Sequence, residues 1–411
     1  MTALDSPLAL GLVGSGPRAA SGVAGLRAGI VRDRAGLDAL LAAWTELETS
    51  AEGAVLFQGS GWARAIFDFE AERGNAGFDP VIATLHDGPR LVAVLPLERV
   101  RTLARRVLMP LGHAFGQYSD MLVAPGVAPR PALAQMLEAA LAAAPADGVS
   151  FLKVRADSLL ARGLPERSIV TGVAQQAPYV ALEGFAGFSD YYATIKAKTR
   201  KNMRNARNRL ERSAPLTHDV AASPEAARAV VARTLEGRAR RLQQQGLTSR
   251  AFRDGDFARF CLSLPGRADL PVLALSLRHG DRPLAEQWGF VHKGRYYAFV
   301  ASRDFADSDE SPGKLHLGQV IEAAAGMGLR GVDLMVPTMP YKRTWATASI
   351  GVADHALAVT ARGWLVLMAW DRYLRPLVRA AVLGLPAGWR SRLMALAGAR
   401  VEAPGEGEPT A

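Results

Sequence analysis

Two stretches far apart in the chain have the same build. PVIATLHDGPRLVAVLPLERV (80–100) and PVLALSLRHGDRPLAEQWGFV (271–291) each read as a β-rich apolar run, a short turn and a second run. The turns hold Gly88, in His86-Asp87-Gly88-Pro89, and Gly280, in His279-Gly280-Asp281. Apolar runs split by glycine beside aspartate predict β-hairpins. After each hairpin the order recurs: a strand (QYSDMLVAP; RYYAFVASRD), a helix (RPALAQMLEAALAAAP; SPGKLHLGQVIEAAAGMG) and a closing strand (VSFLKVRA; RGVDLMV). Element order matches better than residue identity does. The recurrence predicts two structurally similar α/β modules; chance reuse of a common hairpin is the alternative.

The chain of 411 residues, 49% hydrophobic and 21% charged, is long enough for more than one core. Leu37, Leu40, Leu41, Trp44 and Leu47 recur at helical spacing, and Ser60 is a plausible cap for a second helix. The Gly, Ala and Ser of MTALDSPLALGLVGSGPRAASG predict a disordered lead-in over 1–28, without the basic region of a signal peptide. A first module then spans 29–170 and a second 171–362. An apolar and arginine-rich helical extension over 363–400, broken at Pro376 and Pro386, either packs back on the protein or lies on an anionic bilayer. The tail, 401–411, reads as disordered. No apolar run reaches the roughly 18 residues of a spanning helix. With a single cysteine, Cys261, intrachain disulfides are excluded, which suits a reducing compartment. The expected location is cytoplasmic, with peripheral contact at the inner face of a membrane.

The net charge is +10, which favours an anionic partner. Much of the excess is local: KAKTRKNMRNARNRLER, residues 196–212, holds eight Lys and Arg against Glu211. Ile195, Thr199, Met203, Ala206 and Leu210 form an apolar stripe, leaving the other faces basic. Lys196, Arg200 and Arg204 at i, i+4, i+8 repel by roughly 0.2–0.5 kcal/mol per pair. The run is either a solvated helix face or an anion site, with Lys198, Arg200, Lys201 and Arg204 as its binding residues.

In SPGKLHLGQVIEAAAGMG, Ser311 suits an N-cap, Pro312 the first turn, and Gly313 a close approach of ligand to backbone. A helix start so placed is a ready phosphate site, and Lys314 adds a cation. The seven histidines and one cysteine show no metal-ligand spacing. No P-loop, G-x-S-x-G or dinucleotide fingerprint occurs.

Taken together, YYATIKAKTRKNMRNARNRL, SPGKLHLGQVIEAAAGMGLRGVDLMV and MPYKRTW resemble the GNAT-fold acetyltransferases of the cellulose-biosynthesis CelD group, relatives of the FemAB-like aminoacyltransferases. The resemblance is clearest over 190–345 and looser over 30–190. It implies an α/β protein of two tandem GNAT-like modules, with mostly antiparallel sheets flanked by helices and a C-terminal helical extension. It further implies acyl transfer with acyl-CoA as co-substrate and no permanently bound cofactor. Ser311, Gly313 and Lys314 fall where the family binds the donor's pyrophosphate. The usual R/Q-x-x-G-x-G/A signature is incomplete, and the FemAB-like relatives use aminoacyl-tRNA through a similar module.

Acyl transfer needs a base, an oxyanion donor and help for the leaving group. Glu286, between Leu284, Trp288 and Phe290, is the first candidate base if it is partly buried; on a half-exposed strand either it or Gln287 faces the solvent. Asp333 either orients the substrate amine or the base, or caps the strand or pairs with Arg330. Tyr341 either protonates the leaving group or wedges a loop, and Lys342 holds substrate or cofactor phosphate. The expected function is an acetyl or other acyl transferase acting on an amine or hydroxyl of a glycan- or lipid-linked acceptor in polysaccharide or cell-envelope synthesis, an N-acetyltransferase first of all. The alternatives are a tRNA-dependent aminoacyltransferase and a non-catalytic module for RNA or a membrane assembly.

Overall fold

The computed structural model describes residues 25–51, 53, 56–101, 105–244, 255–303 and 312–374, with 377, 378, 380, 381 and 384 beyond. In chain order the elements are β1 (Arg27–Val31), α1 (Arg34–Ser50), α2 (Ser60–Glu72), β2 (Pro80–Asp87), β3 (Arg90–Arg101), β4 (Arg106–Pro110), β5 (Leu122–Val123), α3 (Pro129–Ala143), β6 (Gly148–Arg155), α4 (Leu159–Gly163) and β7 (Ile169–Ala181). There follow α5 (Phe188–Thr194), α6 (Ala197–Leu210), β8 (Leu216–Val220), α7 (Pro224–Gln244), α8 (Asp256–Leu262), β9 (Val272–His279), β10 (Arg282–His292), β11 (Arg295–Arg303), α9 (Pro312–Gly326), β12 (Gly331–Asp333), α10 (Pro340–Trp345), β13 (Ala348–Ala358) and α11 (Ala361–Val366). A π-helical segment, Leu367–Leu374, continues from α11.

The expected α/β architecture, with largely antiparallel sheets flanked by helices, is the one observed. Two compact units divide the described residues: one runs to Ala174 and takes back Gly351–Ala381, and the other is Gln175–Ile350. The chain's late strand β13 therefore pairs with β6 in the first unit from Val352 onward, although the sequence placed residues to 362 with the second module. The first unit's sheet runs β1-β2-β3-β4-β6-β13. Its residues Val81 to Leu85 are buried in succession, as expected of a strand covered on both faces. The first strand begins at Arg27, two residues ahead of the expected Gly29; residues 1–24, most of 363–400 and the tail lie outside the described residues. Ser60 opens α2 without capping it: its N–H and hydroxyl both donate to Glu48 Oε2, at 2.9 and 3.1 Å.

The second unit's sheet runs β7-β12-β11-β10-β9-β8. Helix α7 packs on β9, β10 and β11; α9 packs on β9 to β12, and α5 and α6 pack on α9. Leu317, Val320, Ile321 and Ala324 of α9 join Tyr191, Met203, Tyr296, Val332 and Trp345 in one core. The spacing 317-320-321-324 is the reason α9 is a helix here: it puts one apolar stripe against the sheet. Trp345 ties the short α10 to this core. It stacks on Tyr192 at 6.0 Å, its carbonyl accepts the Tyr191 hydroxyl, and its ring lies over Gly318.

A Cβ at Gly318 would come within 2.6 Å of the Trp345 ring. Gly318→Val is therefore expected to destabilise the protein by about 1–3 kcal/mol through overpacking. Denaturant unfolding measures it; a variant as stable as the parent would remove Gly318 from the account of how α10 is held.

Candidate functional site

Strands β11 and β12 run parallel, yet they pair only at Arg295–Gly331, Tyr296–Val332 and Tyr297–Asp333. The next residues of β11 explain why. Trp288 faces Val300 and Phe290 faces Tyr297, so Ala298 and Phe299 together oppose the single residue Gly289. That is a β-bulge on β11, which bends a strand and breaks its ladder. Only glycine fits opposite it: a Cβ at Gly289 would lie 1.8 Å from the Tyr297 carbonyl oxygen.

On the other side, RGVDLMV was expected to continue as a strand, but β12 stops at Asp333. Leu334 N–H donates to Pro178 O at 3.0 Å, so the chain follows β7 and leaves β11. Met335 then takes φ +58°, the left-handed region that an unbranched non-glycine residue enters at a cost. The following Val336–Pro337 bond is cis. Two groups hold this turn. The Asp333 carboxylate, fully buried, accepts the Met335 N–H at 2.8 Å. The Lys342 ammonium end donates to the carbonyls of Met335 (3.2 Å) and Pro337 (3.0 Å). Burial, and then the nearby Arg238 guanidinium, lower Lys342 to about 7, with Asp333 opposing more weakly.

Beyond Tyr297 and Asp333 the two strands therefore part. The helix that opens beside the far end of β11 is α9: among the described residues, a Cβ at Gly313 would meet Arg303 Cδ at an ordinary 3.5 Å. Gly313 and Lys314 thus stand in the first turn of α9 and are partly exposed, while Ser311 lies outside the described residues.

The remaining sequence candidates divide. Of the two readings of Glu286, the buried one holds, because α7 covers its face of β10; Gln287 is buried too, against the expected alternation. It is not a free carboxylate: Arg233 of α7 donates to both its oxygens at 2.6–3.1 Å and the Ser276 hydroxyl donates at 2.7 Å. Sequence reasoning missed Arg233 and Ser276, since nothing in their local spacing marks them. Arg330 pairs with Glu183 at 3.5 Å and donates to the Lys293 carbonyl at 2.7 Å. Tyr341 packs against the core beneath α9. On α6, Met203, Ala206 and Leu210 are buried; Lys198, Lys201 and Arg204 are exposed and Arg200 half-buried. Arg207 pairs with Glu211 at 2.8 Å. Among the described residues no group of three or more His, Cys, Asp or Glu side chains is placed to hold a metal ion.

The first unit has the same strand order, and there the chain continues past the parallel pair differently. Strands β4 and β6 pair in parallel at Val107–Gly148 and Leu108–Val149, and beyond them the chain's own loop enters. Ser119 bridges to Val154, Gln58 holds the Tyr118 carbonyl at 2.9 Å, and buried Tyr118 lies under the Arg155 guanidinium at 5.3 Å. The loop LGHAFGQYSD, with His113 on Glu98 at 2.6 Å, is thus packed structure. Helix α3 starts Pro129-Arg-Pro131, so two of its first amides carry no proton.

Residues 197–343 match a family model described as an acetyltransferase (GNAT) domain. That span opens at the first residue of α6 and closes just past Lys342. Among solved structures, the chain is similar to FemX at 9% identity, covering 83% of this chain and 99% of that one with a TM-score of 0.55. It is also similar to a tandem GNAT protein from the clavulanic acid biosynthesis pathway (11% identity, 81% and 99% covered, TM-score 0.45). A third is the C-terminal domain of a putative lysylphosphatidylglycerol synthetase from Agrobacterium fabrum (13% identity, 81% and 95% covered, TM-score 0.48). The FemX likeness is one of fold. No curated protein sequence matches the chain.

Lys342 ties this site to stability. Its folded value of about 7 lies below the ordinary lysine value, 10.5. Between those two pH values the unfolded chain binds more protons, so this residue makes stability rise with pH from about 7 towards 10. Below pH 7 both states are protonated and the dependence vanishes. Lys342→Met is expected to flatten that rise in denaturant unfolding at pH 7, 8 and 9. Parallel curves for parent and variant would contradict the burial of the amine.

Proposed function

We propose that the second unit is an acyltransferase that takes an acyl group from an acyl-CoA thioester and passes it to an amine or hydroxyl of a phosphate-bearing glycan- or lipid-linked acceptor in the cell envelope. What carries the reading is the parting of β11 from β12 with the first turn of α9 at its mouth, inside the span that matches a GNAT domain. Past the bulge, β11 has an edge turned away from β12, suited to the two amides of a pantetheine arm by strand-like pairing. The first-turn N–H groups of α9 around Gly313, with Lys314, suit the pyrophosphate.

In the step itself the acceptor's nitrogen or oxygen attacks the thioester carbonyl, the charge passes to the carbonyl oxygen, and the CoA thiolate leaves as the carbonyl re-forms. The acceptor's proton needs a base. We assign it to Lys342: at about pH 7 the amine is available in neutral form, with two N–H groups spent on the Met335 and Pro337 carbonyls and a lone pair left. Glu286, saturated by Arg233 and Ser276, is left to fix α7 on the sheet. A backbone N–H on the open edge of β11 supplies the oxyanion donor. Tyr341 and Asp333 shape the turn that carries Lys342.

The basic face of α6 is assigned to acceptor phosphate. Its first turn holds no acid and no side-chain cap, and Lys196, Lys198 and Arg200 crowd the positive end of the helix. Each cation there is unfavourable by roughly 0.3–1 kcal/mol. Such repeated cost fits a surface whose charge is met by a ligand.

Acyl-CoA is expected to raise the thermal midpoint of the full chain, and Gly313→Trp to abolish that rise while leaving the unliganded midpoint in place. CoA binding unchanged in Gly313→Trp would refute the placement of the pyrophosphate. No response to any acyl-CoA, with retention of aminoacyl-tRNA, would replace this donor with the tRNA-linked one.

Acyl transfer at saturating donor is expected to rise with pH through about 7. Lys342→Met should lower kcat by roughly 10²–10⁴ with donor binding intact. Changing Lys198, Arg200, Lys201 and Arg204 to Gln should raise the acceptor KM and leave the donor Kd alone; an unaltered KM at low salt returns α6 to a solvated face.

A further inference from the structure

The C-terminal helical segment is fixed at its root and bare along its outer side. Asp147, buried in the first unit, holds the root. Its backbone carbonyl accepts the N–H groups of Val359 (3.0 Å) and Thr360 (3.2 Å), its Oδ1 accepts the Thr360 hydroxyl at 3.1 Å, and its Oδ2 accepts the Arg106 N–H at 2.8 Å. Thr360 in turn caps α11 through Gly363 N–H at 3.0 Å. Gly363 seats so closely that a Cβ there would lie 1.8 Å from the Asp147 carbonyl oxygen. Gly363 and Leu367 are buried, which fixes the inward side of the segment.

The outward side is apolar. Trp364 is 52% exposed, Leu365 61%, Tyr373 56% and Leu374 49%, and Leu377 and Val378 follow at 67% and 46%. Six of the ten exposed large hydrophobic residues among the described positions lie in these fifteen residues of sequence. Scattered exposed apolar groups need no explanation, but a concentration on one anchored segment marks a contact surface. The charge along it is mostly positive. Arg362 and Arg372 are exposed beside it, the Arg372 guanidinium 5.8 Å from the Tyr373 ring centroid. Between residues 361 and 400 the sequence carries seven arginines and a single acid, Asp371.

We propose that this segment docks the protein on an anionic lipid bilayer, lying in the headgroup region with Trp364, Leu365, Tyr373 and Leu374 turned into it. Apolar depth and cationic flanks together are what such an interface selects. A second copy of the same face would bring arginine against arginine, and the chain's own continuation, equally basic, would not neutralise it. No described helix is long and apolar enough to cross a membrane, and docking requires none. The proposal is independent of the transfer reaction: the segment belongs to the first unit and uses none of the residues assigned to donor or acceptor.

The test is co-sedimentation of the full chain with vesicles of phosphatidylcholine alone and of phosphatidylcholine with phosphatidylglycerol at about 3:1. The expected result is binding to the anionic vesicles only, weakening as salt is raised. The variant Trp364→Ser/Leu365→Ser/Tyr373→Ser should bind at least about tenfold less with an unchanged thermal midpoint, because these side chains are already in solvent. The α6 variant with Lys198, Arg200, Lys201 and Arg204 changed to Gln should bind as the parent does. Absence of binding at low salt overturns the proposal. So does vesicle binding that survives the triple substitution but is lost with α6, or a dimer of the parent that the triple substitution dissociates.

Discussion

The separation of β11 from β12 is the constraint on which the second unit depends. Two parallel strands would ordinarily keep pairing until one ends. Here a bulge at Ala298–Phe299 turns β11 aside at the level of its last pair, and a left-handed residue, Met335, turns the other chain away two residues after its own. Neither device stands alone. Gly289 gives the bulge room, and Asp333 and Lys342 brace the turn through its backbone. Strain of this kind, about 1–3 kcal/mol per residue, persists only where neighbours over-determine it. The stacked Trp345 and Tyr192 hold the short helix that delivers Lys342.

The covering of the sheet on both faces decides how the polar groups inside it behave. Glu286 and Gln287 are neighbours on one strand and would be expected to differ in exposure, yet both are buried because α7 and α9 each pack on β10. A buried carboxylate needs a counter-charge, and Arg233 provides it. Lys342 has no carboxylate of its own; its hydrogen bonds go to neutral carbonyls and Arg238 is close by, so its charged form is disfavoured. One ionisable group is thus kept charged by pairing, while the other has its charged form disfavoured.

The two units use one element order for different ends. In the first, the place between β4 and β6 is filled by Ser119 and Tyr118, and prolines occupy the start of α3. In the second, the pairing of β11 with β12 ends at Tyr297–Asp333, and the first turn of α9 is Pro312-Gly313-Lys314. The same order of strands therefore does not imply the same chemistry. Side chains at the parting strands decide it.

Much of the architecture was legible in the chain itself. Runs such as Val81–Leu85 and the stripe 317-320-321-324 carry their own periodicity, and glycines at the hairpin tips mark the turns, so local physics placed the elements. The basic face of α6 was equally visible, because a helix with Met203, Ala206 and Leu210 inward must turn its cations out. What the chain could not disclose were relations between distant residues. The β13 strand joins the first unit across an intervening module, Arg233 meets Glu286 across fifty positions, and Met335 takes a conformation its side chain does not announce. Periodicity reports only which side of an element is apolar. Which charges meet, which amine has its charged form disfavoured and where two strands stop pairing depend on packing in three dimensions, and only the tertiary structure decided them.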